Sequence, residues 1–207
     1  MEAEQSRHAL SSGKWKMNNI AALRPILDED KDLILKWRNS PDVAPYMYTD
    51  HQISEPEHNQ WFDSIRSDLR REYWIIESDS VPVGLASLYA IDKDNSKCAW
   101  AFYLADPSAR GKGIGTFVEF MIIERALNEM GLNKLWCEVL ETNEAVWKLH
   151  QTFGFEIEAR YRQHIFKQGA PLNVIGLALL KSTWMEKREE MRARLDKIAN
   201  RHRRVSP

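Results

Sequence analysis

The hexapeptide Arg110-Gly111-Lys112-Gly113-Ile114-Gly115 combines the residue types that hold a phosphorylated ligand. It lies between an alternating apolar run, residues 97–104, and an apolar-striped segment that predicts a helix over 114–130. A helix start leaves its first N–H groups unpaired and carries partial positive charge. Glycines let the backbone approach a ligand closely, and Arg110 and Lys112 add formal charge, so strand, loop and helix together suit a phosphate or pyrophosphate. Two common phosphate loops do not fit. A Walker loop needs four residues between its glycines and then Gly-Lys-Ser/Thr, and a dinucleotide fingerprint needs a third glycine where Thr116 stands. What remains is Arg-x-x-Gly-x-Gly at 110, 113 and 115.

A second block follows at a regular interval. Asn143, Val146, Leu149, His150, Gly154 and Phe155 occupy one predicted helix and its exit. The two blocks resemble the acetyl-CoA motifs of the GNAT superfamily of N-acetyltransferases, and the resemblance spans roughly residues 20–181. It implies acetyl-CoA as co-substrate, no metal, and a sheet whose two central strands splay around the pantetheine arm. Leu104, Arg110, Gly111, Lys112, Gly113, Ile114, Gly115, Thr116 and Asn143 would then be the cofactor-binding residues. His150 departs from the family pattern, which has a Tyr there as general acid. An imidazole can also protonate a departing thiolate, and the alternative is a His that packs on the cofactor. Glu138 is the candidate base for the amine; the alternative is a surface-facing carboxylate.

The N-terminal half narrows the resemblance. Trp37-Arg38-Asn39-Ser40-Pro41, Tyr46-Met47-Tyr48, Ile53-Ser54 and His58 are similar to the PseH-type branch. That branch acetylates the 4-amino group of a UDP-linked 4-amino-4,6-dideoxy sugar on the route to pseudaminic acid. By position, the resemblance implies that Met47 and Tyr48 line a pocket for the sugar's 6-methyl group. Arg38 is a candidate for the nucleotide diphosphate, or a brace for the first helix. Ribosomal-protein N-terminal and polyamine acetyltransferases are the rival classes, and a CoA-binding regulator without catalysis is a third.

These residues need a scaffold. The chain has 207 residues, 43% hydrophobic and 29% charged, with a formal net charge of -1. Such a balance offers no field for nucleic acid or an anionic membrane. Two cysteines, Cys98 and Cys137, are too few for a disulfide framework and read as buried thiols. With no 18-residue apolar run and no apolar stretch near Met1, a cytoplasmic location is expected, and a homodimer is compatible with the composition. Periodicity predicts strands at 20–26, 73–77, 83–89, 97–104, 135–140, 157–167 and 172–180. Helices are predicted from Asp30 to Pro41, after the capping box Ser54/Glu57, at 114–130 and at 143–153. The expected fold is α/β (α+β), a mixed central sheet of about seven strands flanked by helices. Residues 1–19 read as a flexible tail. Residues 182–207 read as a charged helix and tail, solvated or docked on a partner chain, with a thin stripe of Met185, Met191, Leu195 and Ile198.

Overall fold

The computed structural model describes residues 15–17 and 20–205, with side chains up to residue 202. Eight strands form one mixed sheet: β1 Trp15–Met17, β2 Ala21–Pro25, β3 Glu72–Ser78, β4 Val81–Asp92, β5 Lys97–Leu104, β6 Lys134–Leu140, β7 Glu156–Lys167 and β8 Ala170–Leu180. Their spatial order is β1-β2-β3-β4-β5-β6-β8-β7, antiparallel except for the parallel pair β5–β6. Alternate residues of a strand serve opposite faces. Ile75 therefore joins one core with Ile34, Phe62, Ile65 and Leu85, while Trp74 and Ile76 join the other. The first core is covered by helices α1 Lys31–Arg38 and α2 Glu55–Ser67. The second lies under α3 Ile114–Ile123, α4 Glu144–Thr152 and α5 Lys181–Val205. Helix α3 runs on into a π turn, Glu124–Glu129, so the helix expected over 114–130 is present with its last third widened.

Two terminal readings are corrected. Residues 15–17, expected in a tail, pair antiparallel with β2, and Trp15 stacks on Trp74 at 5.9 Å under the Arg125 guanidinium. A three-residue strand carries too little periodicity to be seen, and its aromatic anchor supplies the stability instead. The rest of segment 1–19 lies outside the described residues, apart from this strand. The C-terminal helix is not a solvated rod. Trp184, Met191, Leu195 and Ala199 are buried in the second core, while Met185 is 55% exposed. The packing stripe starts one residue earlier than the sequence suggested. Fully burying Met191 and Leu195 contributes about 2 kcal/mol each. Glu124 then fastens α5 to α3, accepting hydrogen bonds from Trp184 Nε1 at 2.8 Å and from Arg188 at 2.7 and 2.9 Å.

Candidate active site

The sheet opens where β5 and β6 part. They pair only at Lys97↔Lys134, Cys98↔Leu135 and Ala99↔Trp136. Beyond Ala99, β5 stays with β4 and β6 stays with β8, so the facing edge of Trp100–Leu104 forms no ladder with β6. Unpaired strand edges carry donors and acceptors that a ligand can satisfy. A chamber of about 670 Å³ fills the gap, lined by Leu104, Arg110, Gly111, Gly113, Ile114, Gly115, Thr116, Glu138, Asn143 and His150 among others. Ten of the predicted site residues thus meet there from distant parts of the chain, together with Arg38, Met47 and Tyr48. Lys112 stands on the same loop and is exposed, outside the chamber wall.

The loop has the conformation an anion requires. Gly113, at φ +80°, is the left-handed N-cap of α3, a setting that disfavours any residue with a Cβ. The amides of Gly113, Ile114 and Gly115 donate to no backbone carbonyl among the described residues. Three free donors at a helix start match the oxygens of a pyrophosphate, so the loop fits the cofactor that the motif implies. Arg110 is placed differently from expectation. Its guanidinium turns back to donate to the carbonyls of Asp42, at 2.8 Å, and Leu104, at 3.0 Å. It ties the loop to the N-terminal half and engages the Leu104 carbonyl. Asn143 caps α4 without a side-chain hydrogen bond to the helix and lines the chamber.

The second wall comes from the segment after α1. Asn39 fastens this segment with both ends of its amide, donating to the Ile53 carbonyl at 2.9 Å and accepting from the Ile53 N–H at 2.8 Å. Arg38 donates to Met47 Sδ at 3.0 Å and Thr49 Oγ1 at 3.3 Å. Lys167, nearly buried at the end of β7, donates to the carbonyls of Met47 and Thr49, each at 2.8 Å. So held, Tyr48 donates its hydroxyl to Glu138 Oε2 at 2.8 Å. Burial and then the neighbouring carboxylate raise the Tyr48 phenol well above its ordinary range, so it stays a donor. A smaller cavity of about 370 Å³ adjoins this wall, sharing Arg38, Met47, Thr49, Tyr89, Ala101, Phe102 and Tyr103 with the chamber. Burial raises the Tyr103 phenol, and its hydroxyl has no hydrogen-bond partner among the described residues.

His150 is only 3% exposed, packed against Trp100, Phe102 and Phe155. Its Nδ1 lies 2.9 Å from Oε1 of Glu119, a fully buried carboxylate on α3. Nε2 has no hydrogen-bond partner among the described residues. Burial pushes the Glu119 carboxyl up, against the lowering pull of His150. The sequence reading passed over Glu119, although a lone carboxylate inside the apolar run Phe117-Val118-Glu119-Phe120-Met121 was a usable signal. Lys167 and Tyr103 gave no such signal. Both cysteines are buried free thiols, Cys137 at the chamber wall with its thiol raised by burial. Among the described residues no group of three or more His, Cys, Asp or Glu side chains can hold a metal, and no helix is long and apolar enough to cross a membrane.

Comparison with known proteins bears on this arrangement. Acetyltransferase PseH of Campylobacter jejuni subsp. jejuni (strain 81-176) is 28% identical over 142 residues, covering 69% of this chain and 85% of that protein. Spermidine N(1)-acetyltransferase of Escherichia coli K12 is 22% identical over 163 residues, covering 79% and 87%. In fold, the chain is similar to spermidine N-acetyltransferase from Vibrio cholerae, a structure in complex with CoA and spermine. The TM-score is 0.75 at 19% identity, over 80% of this chain and 98% of that one. The profile of the acetyltransferase (GNAT) domain matches residues 21–156, from β2 through the splayed strands to the exit of α4, and the chain belongs to that family.

Proposed function

We propose that this acetyl-CoA-dependent N-acetyltransferase moves an acetyl group onto the 4-amino group of a UDP-linked 4-amino-4,6-dideoxy sugar. The observation that carries the reading is the Tyr48–Glu138 hydrogen bond. It brings the segment similar to the PseH-type branch onto the strand that lines the cofactor chamber and puts an aromatic ring beside a carboxylate, while Met47, whose sulfur accepts from Arg38, lines the same chamber. A 6-deoxy sugar has a methyl group to bury, which Met47 and Tyr48 suit, next to an amine that a carboxylate can deprotonate. The similarity to acetyltransferase PseH supports this reading.

Acetyl-CoA supplies an activated acyl group and a thiol leaving group. Gly113, Ile114 and Gly115 hold its pyrophosphate through their free amides, and the open edge of β5 orders the pantetheine arm. Tyr48 fixes one oxygen of Glu138, and the other takes the proton from the attacking amine. His150, steadied at Nδ1 by Glu119, gives the Nε2 proton to the departing sulfur. The two proton movements balance: one leaves nitrogen and one reaches sulfur.

The rival reading is a polyamine acceptor, favoured by the likeness to spermidine acetyltransferases. A polyamine carries several positive charges and calls for a surplus of carboxylates. The chamber instead sets Arg38 and Arg110 against Asp42 and Glu138. The test is thiol release from acetyl-CoA with the UDP-amino sugar, spermidine and a ribosomal-protein N-terminal peptide offered separately. Turnover confined to the sugar is expected. Turnover confined to spermidine or the peptide refutes the acceptor and keeps the enzyme class. Acetyl-CoA binding with no turnover on any amine favours a binder without catalysis.

A further inference from the structure

The family match ends at residue 156, yet the last turns of α5 reach the cofactor loop. His202 Nε2 lies 2.6 Å from the carbonyl oxygen of Lys112, so the imidazole donates to it. One turn earlier, Ile198 covers Gly113, and a Cβ at that glycine would sit 2.7 Å from Ile198 Cγ2. Helix α5 is held in this position from below by Trp184, Met191 and Leu195, all buried. Two independent contacts, one polar and one apolar, thus fall on consecutive residues of the loop.

The polar contact has a directional consequence. In a trans peptide the C=O and the following N–H point to opposite sides. With the Lys112 carbonyl fixed toward α5, the Gly113 N–H is turned away from α5. Gly113 also lines the chamber, and its amide has no backbone acceptor among the described residues. A peptide free to rotate would present either its N–H or its carbonyl to an incoming phosphate, and the carbonyl repels it. The contact with His202 selects the attractive orientation before the ligand arrives, which reduces the ordering cost of binding.

We infer that the C-terminal helix α5 is part of the cofactor site, with His202 and Ile198 as positioning residues that preset the Lys112–Gly113 peptide to receive the pyrophosphate of acetyl-CoA. This rests on reading Arg110–Gly115 as the pyrophosphate loop. The experiment compares full-length wild type with His202→Phe, His202→Gln and Gly115→Val, using acetyl-CoA titration calorimetry and thermal unfolding. His202→Phe loses the donor and is expected to weaken acetyl-CoA binding about five- to tenfold, the worth of one net hydrogen bond, with little change in Tm because the contact lies at the exposed end of α5. His202→Gln, which keeps an N–H donor, restores most of the loss. Gly115→Val tests the loop itself, because a Cβ there already sits 3.4 Å from the Phe102 ring. Unchanged affinity in His202→Phe with weakened affinity in Gly115→Val overturns the role of α5 alone. Unchanged affinity in both overturns the loop reading as well. A fall in Tm with no change in affinity makes His202 a structural contact only and overturns the inference.

Discussion

Replacing Gly113 by Ala tests the loop at its most constrained point. Two costs follow from the structure. The residue sits at φ +80°, where an L side chain costs about 1–2 kcal/mol. Its new Cβ would stand 2.7 Å from Ile198 Cγ2, so that side chain must rotate or α5 must shift; displacing one well-packed methyl costs roughly 1 kcal/mol. Together they give about 2–3 kcal/mol. For a chain of this size, at roughly 2–4 °C per kcal/mol, Tm falls by about 4–12 °C. The two costs are separable by a double-mutant cycle with Ile198→Ala, read by thermal unfolding and urea titration. Ile198→Ala removes the colliding methyl, so it is less damaging in the Gly113→Ala background than in wild type, by about 1 kcal/mol. The backbone part of the cost remains. A Gly113→Ala protein as stable as wild type refutes the left-handed cap, and strict additivity refutes the contact with α5.

Other consequences are read from single variants. Glu138→Gln is expected to lower kcat most at low pH, where the acceptor amine is mostly protonated; an equal loss at every pH removes Glu138 as base. His150→Phe lowers kcat by about 100-fold or more with little change in acetyl-CoA affinity, and an unchanged kcat removes it as the proton donor. Glu119 gives a pH dependence of stability. Burial raises its folded carboxyl above the unfolded value, so its contribution is fully present below the unfolded range, about 4.3, and is lost as pH rises through the folded value. Glu119→Gln has no such loss, so its stability relative to wild type improves as pH rises from about 4 toward neutrality. Urea titrations across that range with a constant difference between the two proteins contradict the assignment.

What the sequence disclosed follows the range of the interactions involved. The glycine loop and the Asn143–Phe155 block are local patterns, in which backbone geometry dictates residue type at fixed spacing; the loop, Lys112 apart, and Asn143, Val146, Leu149 and His150 of the block fall on the chamber wall. The strands were visible because alternation sorts residues between the two cores, as with Ile75 against Trp74 and Ile76. The meeting of Tyr48 with Glu138, 90 residues apart, has no local signature; only the resemblance to a family of sugar acetyltransferases put both residues in one site. Glu119 was hidden because an apolar stripe reads as core whatever single polar residue interrupts it. Helix α5 was misjudged because its charged residues outnumber a stripe that begins at Trp184, and because its contacts on Gly113 and Lys112 are tertiary. The turned-back Arg110 was equally invisible, since its acceptor on Asp42 lies in another segment.

The most direct test of the central claim is to incubate the protein with acetyl-CoA and the UDP-linked 4-amino-4,6-dideoxy sugar, and to follow the sugar by mass spectrometry and NMR. The account predicts one acetyl group gained on the 4-amino nitrogen, one CoA thiol released per sugar, and loss of this turnover in Glu138→Gln. An unmodified sugar under conditions where spermidine is acetylated would contradict it.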